Sequence, residues 1–65
     1  MKLTVNGQLH EVMSATLDAL LAEFDYEGCW LATAVNNSVV HAADRSVCRL
    51  QDGDRIEVLA PMQGG

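Results

Sequence analysis

Residues 2–12, KLTVNGQLHEV, decide the fold of this 65-residue chain. Residues 2–5 alternate polar and apolar side chains, and residues 8–12 alternate again with Leu9 and Val12 as the apolar members. Asn6-Gly7 separates the two runs, and a two-residue hairpin turn of type I′ needs positive φ at both central positions, which Asn and Gly tolerate. The stretch therefore predicts a β-hairpin at the start of the chain.

A short amphipathic helix is predicted to follow the hairpin. Ser14 or Thr16 is a suitable N-cap, because its hydroxyl can accept a hydrogen bond from a free N–H of the first turn. Asp18 then places a carboxylate at the positive end of the helix dipole. The apolar residues recur at i, i+3, i+4 and i+7; they are Leu17, Leu20, Leu21 and Phe24. This spacing predicts one helix face packed against a core.

Three short strands are predicted in the second half of the chain. Residues 31–35 and 38–41 are joined by Asn36-Asn37, a pair typical of a tight turn. We expect a loop over residues 42–50 and a turn at Asp52-Gly53-Asp54. The last strand, residues 55–59, follows that turn.

The first and last strands are predicted to pair at the centre of the sheet, beneath the helix. Both alternate, so each presents one apolar face; the residues expected to face the helix are Leu3, Val5, Ile56 and Val58. Leu59 then points to the opposite face with Arg55 and Glu57. The order of elements predicts an α+β fold with one helix across a sheet, made of a domain over residues 1–59 and a flexible tail over residues 60–65.

Composition excludes several classes of partner. Apolar residues make up 49% of the chain, which favours a packed domain over a disordered segment. The net charge is −5, and the four basic residues are scattered, so no basic stripe is present to bind nucleic acid. No apolar run approaches the roughly 20 residues that span a bilayer. We therefore expect neither nucleic acid nor membrane as a partner.

Cysteine, histidine and methionine do not form a metal-binding or catalytic pattern. Cys29 and Cys48 are not in a CxxC pair, and no secretory leader is recognisable, so we expect free thiols in the cytoplasm; one disulfide in a secreted domain is the alternative. Asp52-Gly53-Asp54 lacks the further oxygen ligands of a calcium loop. Met13 and Met62 are single methionines, which usually pack rather than bind metal.

The chain closes on Gln63-Gly64-Gly65, a terminus that favours chemistry at its carboxylate. Because glycine has no Cβ, two glycines can lead an extended carboxylate through a narrow channel. Pro61 disfavours helix at Ala60, so the tail is expected to leave the sheet extended. A frayed polar end and a linker left by cloning are the alternatives.

Taken together, the ordered pieces of this chain resemble the ubiquitin-like sulfur carriers of the β-grasp fold, most closely the small sulfur carriers of thiamine biosynthesis. The resemblance covers essentially the whole chain and implies a mixed sheet of four to five strands with one main helix. The pieces that carry it are Leu3-Thr4-Val5-Asn6-Gly7, Leu17-x-x-Leu20-Leu21, Ala34-Val35-Asn36, Val39-Val40, Asp52-Gly53-Asp54-Arg55-Ile56-Glu57-Val58 and Gly64-Gly65.

The resemblance implies that Gly65 is adenylated by an ATP-dependent adenylyltransferase and then converted to a thiocarboxylate. Met62, Gln63 and Gly64 would thread into that partner, and Leu59 is a candidate partner contact. ATP and magnesium would be held by the adenylyltransferase, with no cofactor bound by this chain. A sulfur donor system and a thiazole synthase are the further partners implied, and the chain would be a co-substrate rather than an enzyme.

Other functions remain open on the sequence alone. The small subunit of molybdopterin synthase also ends in diglycine, and Pro61 is a point of similarity to that group. A ubiquitin-like modifier would join Gly65 to a lysine amine, and a plain interaction domain would use no terminal chemistry. A small hydrolase would require His41 and Asp44 as a base pair, for which the chain offers no nucleophile at a suitable spacing.

Overall fold

A five-stranded mixed sheet and one α-helix form the domain in the computed structural model, which describes residues 1–26 and 31–59. The sheet order is β2-β1-β5-β3-β4, in which β1 and β5 are parallel and the other neighbours antiparallel. The element bounds are β1 Lys2–Val5, β2 Gln8–Glu11, α1 Leu17–Glu23, β3 Ala32–Val35, β4 Ser38–Val40 and β5 Arg55–Leu59. The predicted α+β architecture is confirmed.

Both predicted hairpins form around left-handed turn residues. Val5 pairs with Gln8 across Asn6 (φ 51°) and Gly7 (φ 83°). At the second hairpin, Asn36 and Asn37 have φ values of 51° and 73°. Asparagine tolerates this region better than most residues with a Cβ, so each hairpin forms where the sequence predicts it.

The helix buries the predicted stripe and begins where the polar residues predict. Thr16 is the N-cap, and its hydroxyl donates a hydrogen bond of 2.5 Å to Asp18 Oδ1. Phe24, the fourth member of the stripe, ends the helix as its C-cap and is only partly buried. Within the described residues no helix is long and apolar enough to cross a membrane.

The central pair of strands supplies the sheet side of the core, as predicted. β1 and β5 run parallel, with Val5 opposite Ile56, and one cluster unites them with the helix. The buried apolar residues of that cluster are Leu3, Val5, Val12, Leu17, Leu20, Leu21, Leu31, Leu50, Ile56 and Val58. Because the core uses a single sheet face, the opposite face is left uncovered by the described part of the chain.

The two apolar residues of the second predicted strand differ in burial, and one local prediction is wrong. Leu9 pairs with Thr4 and is 69% exposed, whereas Val12, just past the end of β2, is 2% exposed. Residues 42–50 were expected to be a loop, but Ala42–Val47 forms a 3₁₀ helix. That helix has no apolar periodicity, and its buried residue is a charged one, Arg45.

Candidate functional site

The predicted reactive segment begins where the described structure ends. Gly65, Gly64, Gln63 and Met62 lie outside the described residues, as does the rest of the tail over residues 60–65. The structure describes the chain up to Leu59, the last residue of β5. The geometry that bears on the site is therefore that of the end of β5 and of the sheet face beside it.

The end of β5 is held from both sides. On one side, Ala32 and Thr33 of β3 pair with Leu59 and Val58. On the other side β1 has already turned away, and the side-chain amide of Asn6 takes its place: Asn6 Oδ1 accepts from the N–H of Val58 at 2.9 Å, and Asn6 Nδ2 donates to the carbonyl of Val58 at 3.2 Å. Leu59 therefore has a defined place at the edge of the folded domain.

Leu59 lies on the sheet face that points away from α1, which we call the outer face, and 71% of its surface is exposed. Cross-strand register places Leu59 opposite Ala32, and Glu57 opposite Ala34, which in turn is opposite Val39. Together with Thr33, these five residues line a shallow depression of about 130 Å³. We call Ala32, Ala34, Val39 and Leu59 the outer patch.

The outer patch is apolar, and the negative charge of Glu57 lies beside it. Val39 is 70% exposed at the edge strand β4, so two large apolar side chains of the patch are open to a partner. Glu57 is exposed between them, on the same face of β5 as Leu59. Arg55 lies at the start of the same strand, and its Nη2 is 3.5 Å from Asn37 Oδ1. A complementary surface would be apolar and would place a cation opposite Glu57.

The alternative sites considered from the sequence do not form functional constellations. His41 and Asp44 are linked through the backbone, with the N–H of Asp44 donating to the His41 carbonyl at 2.9 Å, as expected for a 3₁₀ turn. Asp52 Oδ1 accepts from the backbone N–H of Lys2 at 2.7 Å, so its loop serves as a structural turn. In the described part of the chain no three His, Cys, Asp or Glu residues are grouped as a metal site would require.

The thiol of Cys48 is free and partly buried. Burial raises the pKa of Cys48 above its ordinary value of 9.0, and the negative charge of Asp54 adds to the effect. Such a thiol is mainly protonated at neutral pH and is a poor nucleophile. Cys29 and Trp30 lie outside the described residues.

Two residues with defined roles were not singled out from the sequence. Asn6 was interpreted for its backbone conformation alone, and its side-chain bonds to β5 have no local sequence signal. Arg45 is 7% exposed and donates from Nε to Thr33 Oγ1 at 3.1 Å and from Nη2 to the Leu31 carbonyl at 2.6 Å. Both residues act on strands distant in sequence, so composition and periodicity do not reveal them.

This mixed sheet with a single helix across one face defines the class of protein, a ubiquitin-like β-grasp domain. A model of the ThiS family matches residues 3–65. The chain belongs to the ThiS family and is a small sulfur carrier, a protein substrate of activating and sulfur-transfer enzymes rather than a catalyst.

Solved structures agree with the family match. The crystal structure of a thiamine biosynthesis protein, ThiS, from Geobacter metallireducens is 29% identical in sequence, with a TM-score of 0.82 and complete coverage of both chains. The NMR solution structure of a thiamine biosynthesis protein from the same organism is also 29% identical, with a TM-score of 0.83, and the match covers all of this chain and 88% of the other. The search of curated proteins gave no match.

Proposed function

We propose that this chain carries sulfur for thiazole formation in thiamine biosynthesis and that Gly65 is the residue that bears it. The observation that carries the proposal is the ThiS family match, which extends to residue 65 and so includes both terminal glycines. The two solved structures named as thiamine biosynthesis proteins support the pathway. The end of β5 is compatible with the mechanism, because Leu59, the last residue that the structure describes, is exposed beside an apolar patch.

The chemistry proposed for Gly65 has two steps. A carboxylate is a poor electrophile, so an oxygen of the Gly65 carboxylate first attacks the α-phosphorus of ATP and pyrophosphate leaves, forming an acyl adenylate. A hydrosulfide equivalent from the sulfur donor system then attacks the acyl carbon, the bond to AMP breaks, and a thiocarboxylate remains. ATP and magnesium are held by the adenylyltransferase in this scheme, and this chain contributes the acyl group.

In this proposal the tail and the outer patch contact different parts of the enzyme. Met62, Gln63 and Gly64 thread into the enzyme, since two glycines need little width. Leu59 and its neighbours in the patch dock against the enzyme's surface. Four small or medium apolar side chains cover far less than the roughly 800 Å² that each partner buries in a stable interface. The tail must therefore supply much of the contact, and the patch sets the position from which it enters.

The thiocarboxylate is then delivered to a thiazole synthase. A thioacid is a stronger nucleophile than a carboxylate, so the loaded carrier can transfer sulfur to an electrophilic carbon of a thiazole precursor. The same tail has to reach both enzymes, one after the other. We place this cycle in the cytoplasm, where a free thiol such as that of Cys48 is the normal state of cysteine.

Two alternatives share the adenylation step. A carrier for molybdopterin synthase would form the same thiocarboxylate but donate it to another acceptor, and a protein modifier would end in an isopeptide bond to lysine. The family model and the thiamine names of both solved structures favour the thiamine pathway over these two.

Intact mass after reaction tests the proposal. The chain is incubated with a thiamine-pathway adenylyltransferase, ATP and sulfide, and its C-terminal peptide is then weighed. We expect the mass gain of one oxygen replaced by one sulfur, confined to the peptide that ends in Gly65. A variant lacking Gly65 is the matched control and should fold but stay unchanged in mass. An unchanged wild-type mass with an enzyme that loads its own carrier would overturn the proposal, and higher-mass conjugates on denaturing gels would favour the modifier.

A further inference from the structure

The side chain of Asn6 completes a β-ladder that the backbone of β1 leaves unfinished. β1 and β5 are parallel neighbours. The N–H of Thr4 donates to the Asp54 carbonyl at 3.0 Å, and further along the ladder the N–H of Asn6 donates to the Ile56 carbonyl at 2.9 Å. The next partner on β5 is Val58, but the chain has by then turned away at Gly7, which has a φ of 83°. The Asn6 side-chain amide bonds both backbone groups of Val58 instead.

The side chain can replace the backbone here because its amide has an acceptor oxygen and N–H donors, the two kinds of group that a peptide unit offers. Asn6 Nδ2 also lies 3.4 Å from the hydroxyl oxygen of Tyr26, which follows α1. The hairpin turn and the segment after the helix therefore meet beside Val58, at the end of the ladder. The N–H and the carbonyl of Val58 both point toward β1, so without this amide both groups would lose the partners they have in the folded domain.

We propose that Asn6 is a positioning residue for the reaction of the tail: its amide keeps Val58 and Leu59 in the sheet, so that residues 60–65 always start from one fixed point beside the outer patch. This inference rests on the proposed function. Ordering the backbone of a single residue costs enough free energy to change an equilibrium about tenfold. If the end of β5 were frayed, that cost would fall on each binding event, because the enzyme would have to order the strand end before the tail could enter.

The second hairpin provides a matched control. Asn36 has the same φ, 51°, and its side chain also bonds β5: Oδ1 accepts from the Arg55 N–H at 2.9 Å, and Nδ2 donates to Asp54 Oδ1 at 3.0 Å. These bonds hold the start of β5, the end of the strand remote from the tail. Replacing either asparagine with glycine keeps the turn conformation accessible and removes side-chain bonds to one end of the same strand.

The experiment compares wild type, Asn6→Gly and Asn36→Gly as substrates of the adenylyltransferase, with pyrophosphate release as the readout. Thermal unfolding is recorded first, to show that both variants are folded at the assay temperature. We expect Asn6→Gly to raise KM about tenfold with kcat unchanged, since the ordering cost is added at binding. Asn36→Gly should keep the wild-type KM even if it unfolds at the same temperature as Asn6→Gly.

Amide hydrogen exchange on the isolated proteins gives a second readout that needs no enzyme. Protection of the Val58 N–H should be lost in Asn6→Gly and kept in Asn36→Gly. Should Asn6→Gly not fold, Asn6→Asp replaces it, because aspartate keeps the Oδ1 acceptor but turns an acceptor instead of a donor toward the Val58 carbonyl.

Equal KM values for the two glycine variants, or unchanged protection of Val58 in Asn6→Gly, would overturn the positioning role while leaving the carrier function in place. Wild-type protein that releases no pyrophosphate would instead overturn the proposed function itself.

Discussion

At the scale of single residues, Glu23 ties the end of α1 back to the segment that precedes the helix. Its carboxylate accepts hydrogen bonds from the Ser14 hydroxyl and from the backbone N–H of Met13, the latter at 3.4 Å. The bond from the Ser14 side chain is the main reason that the pKa of Glu23 lies below its ordinary value of 4.5. The sequence offers Ser14 as an N-cap, but its hydroxyl instead binds Glu23, the last residue of the helix.

This pKa shift predicts a pH dependence of stability. Because the pKa of Glu23 is lower in the folded than in the unfolded chain, its contribution is present above about pH 4.5 and is lost as the pH falls through the folded value. Glu23→Ala should therefore be slightly less stable than wild type at pH 7, and the difference should vanish in acid. Urea unfolding at several pH values measures it, and a difference that persists at pH 2–3 would show that Glu23 acts through something other than its charge.

Leu59 is exposed, so replacing it should change recognition by a partner without changing the stability of the domain. Leu59→Ser should change the free energy of unfolding by no more than about 0.5 kcal/mol, since an exposed side chain contributes little to the core. Burying one leucine in an interface contributes about 1.5–3 kcal/mol, so kcat/KM for adenylation should fall about tenfold or more. Val47, 73% exposed in the 3₁₀ helix, gives the matched control Val47→Ser, which should react like wild type. Equal losses in both variants would remove the outer patch from the docking surface.

At the scale of elements, Arg45 joins the 3₁₀ helix to β3. Its guanidinium donates to the Leu31 carbonyl and to Thr33 Oγ1, and the Thr33 hydroxyl in turn donates to the Val40 carbonyl at 2.7 Å. The arrangement is a chain of hydrogen bonds from the 3₁₀ helix through β3 to β4. Within the described residues the only ion pair joins the N-terminal amine to Glu11, so Arg45 is held by neutral oxygens.

Replacing Arg45 with lysine keeps the charge but loses the planar fork that reaches two acceptors at once. We expect Arg45→Lys to lower the free energy of unfolding by about 1–3 kcal/mol, because a buried carbonyl or hydroxyl loses its partner. Chemical denaturation of the two proteins measures the difference. Stability equal to wild type would mean that the positive charge alone is sufficient at this position.

At the scale of the whole molecule, most of the fold could be predicted from the sequence because its signals are local. Asn6-Gly7 and Asn36-Asn37 marked both hairpins, and the stripe from Leu17 marked the helix. Leu9 and Val12 were harder, because β2 is an edge strand with few buried residues and its alternation does not show which face is covered.

The candidate site was less accessible to sequence reasoning than the fold. The exposed position of Leu59 followed from strand alternation, whereas the bonds made by Asn6 and Arg45 depend on strands that meet only in the folded chain. The roles of Gly65, Gly64, Gln63 and Met62 stay predictions that the mass experiment addresses.

Because β5 lies at the centre of the sheet, we expect the domain to fold only when this last strand is present. β5 lies between β1 and β3 and supplies Ile56 and Val58 to the core. A chain ending at Asp54 would lack both of these side chains and the strand that joins the two hairpins. We expect such a truncated chain to lack the cooperative thermal transition of the full domain, as measured by circular dichroism. A cooperative transition in the truncated chain would show that the two hairpins and α1 are stable without β5.

The same feature has a consequence during protein synthesis. The hairpins and helix emerge from the ribosome first, but the sheet has a gap at its centre until residues 55–59 have left the exit tunnel. A nascent or broken chain that lacks β5 therefore exposes the edges of β1 and β3 that the finished sheet keeps paired, and such unpaired edges favour association with other chains.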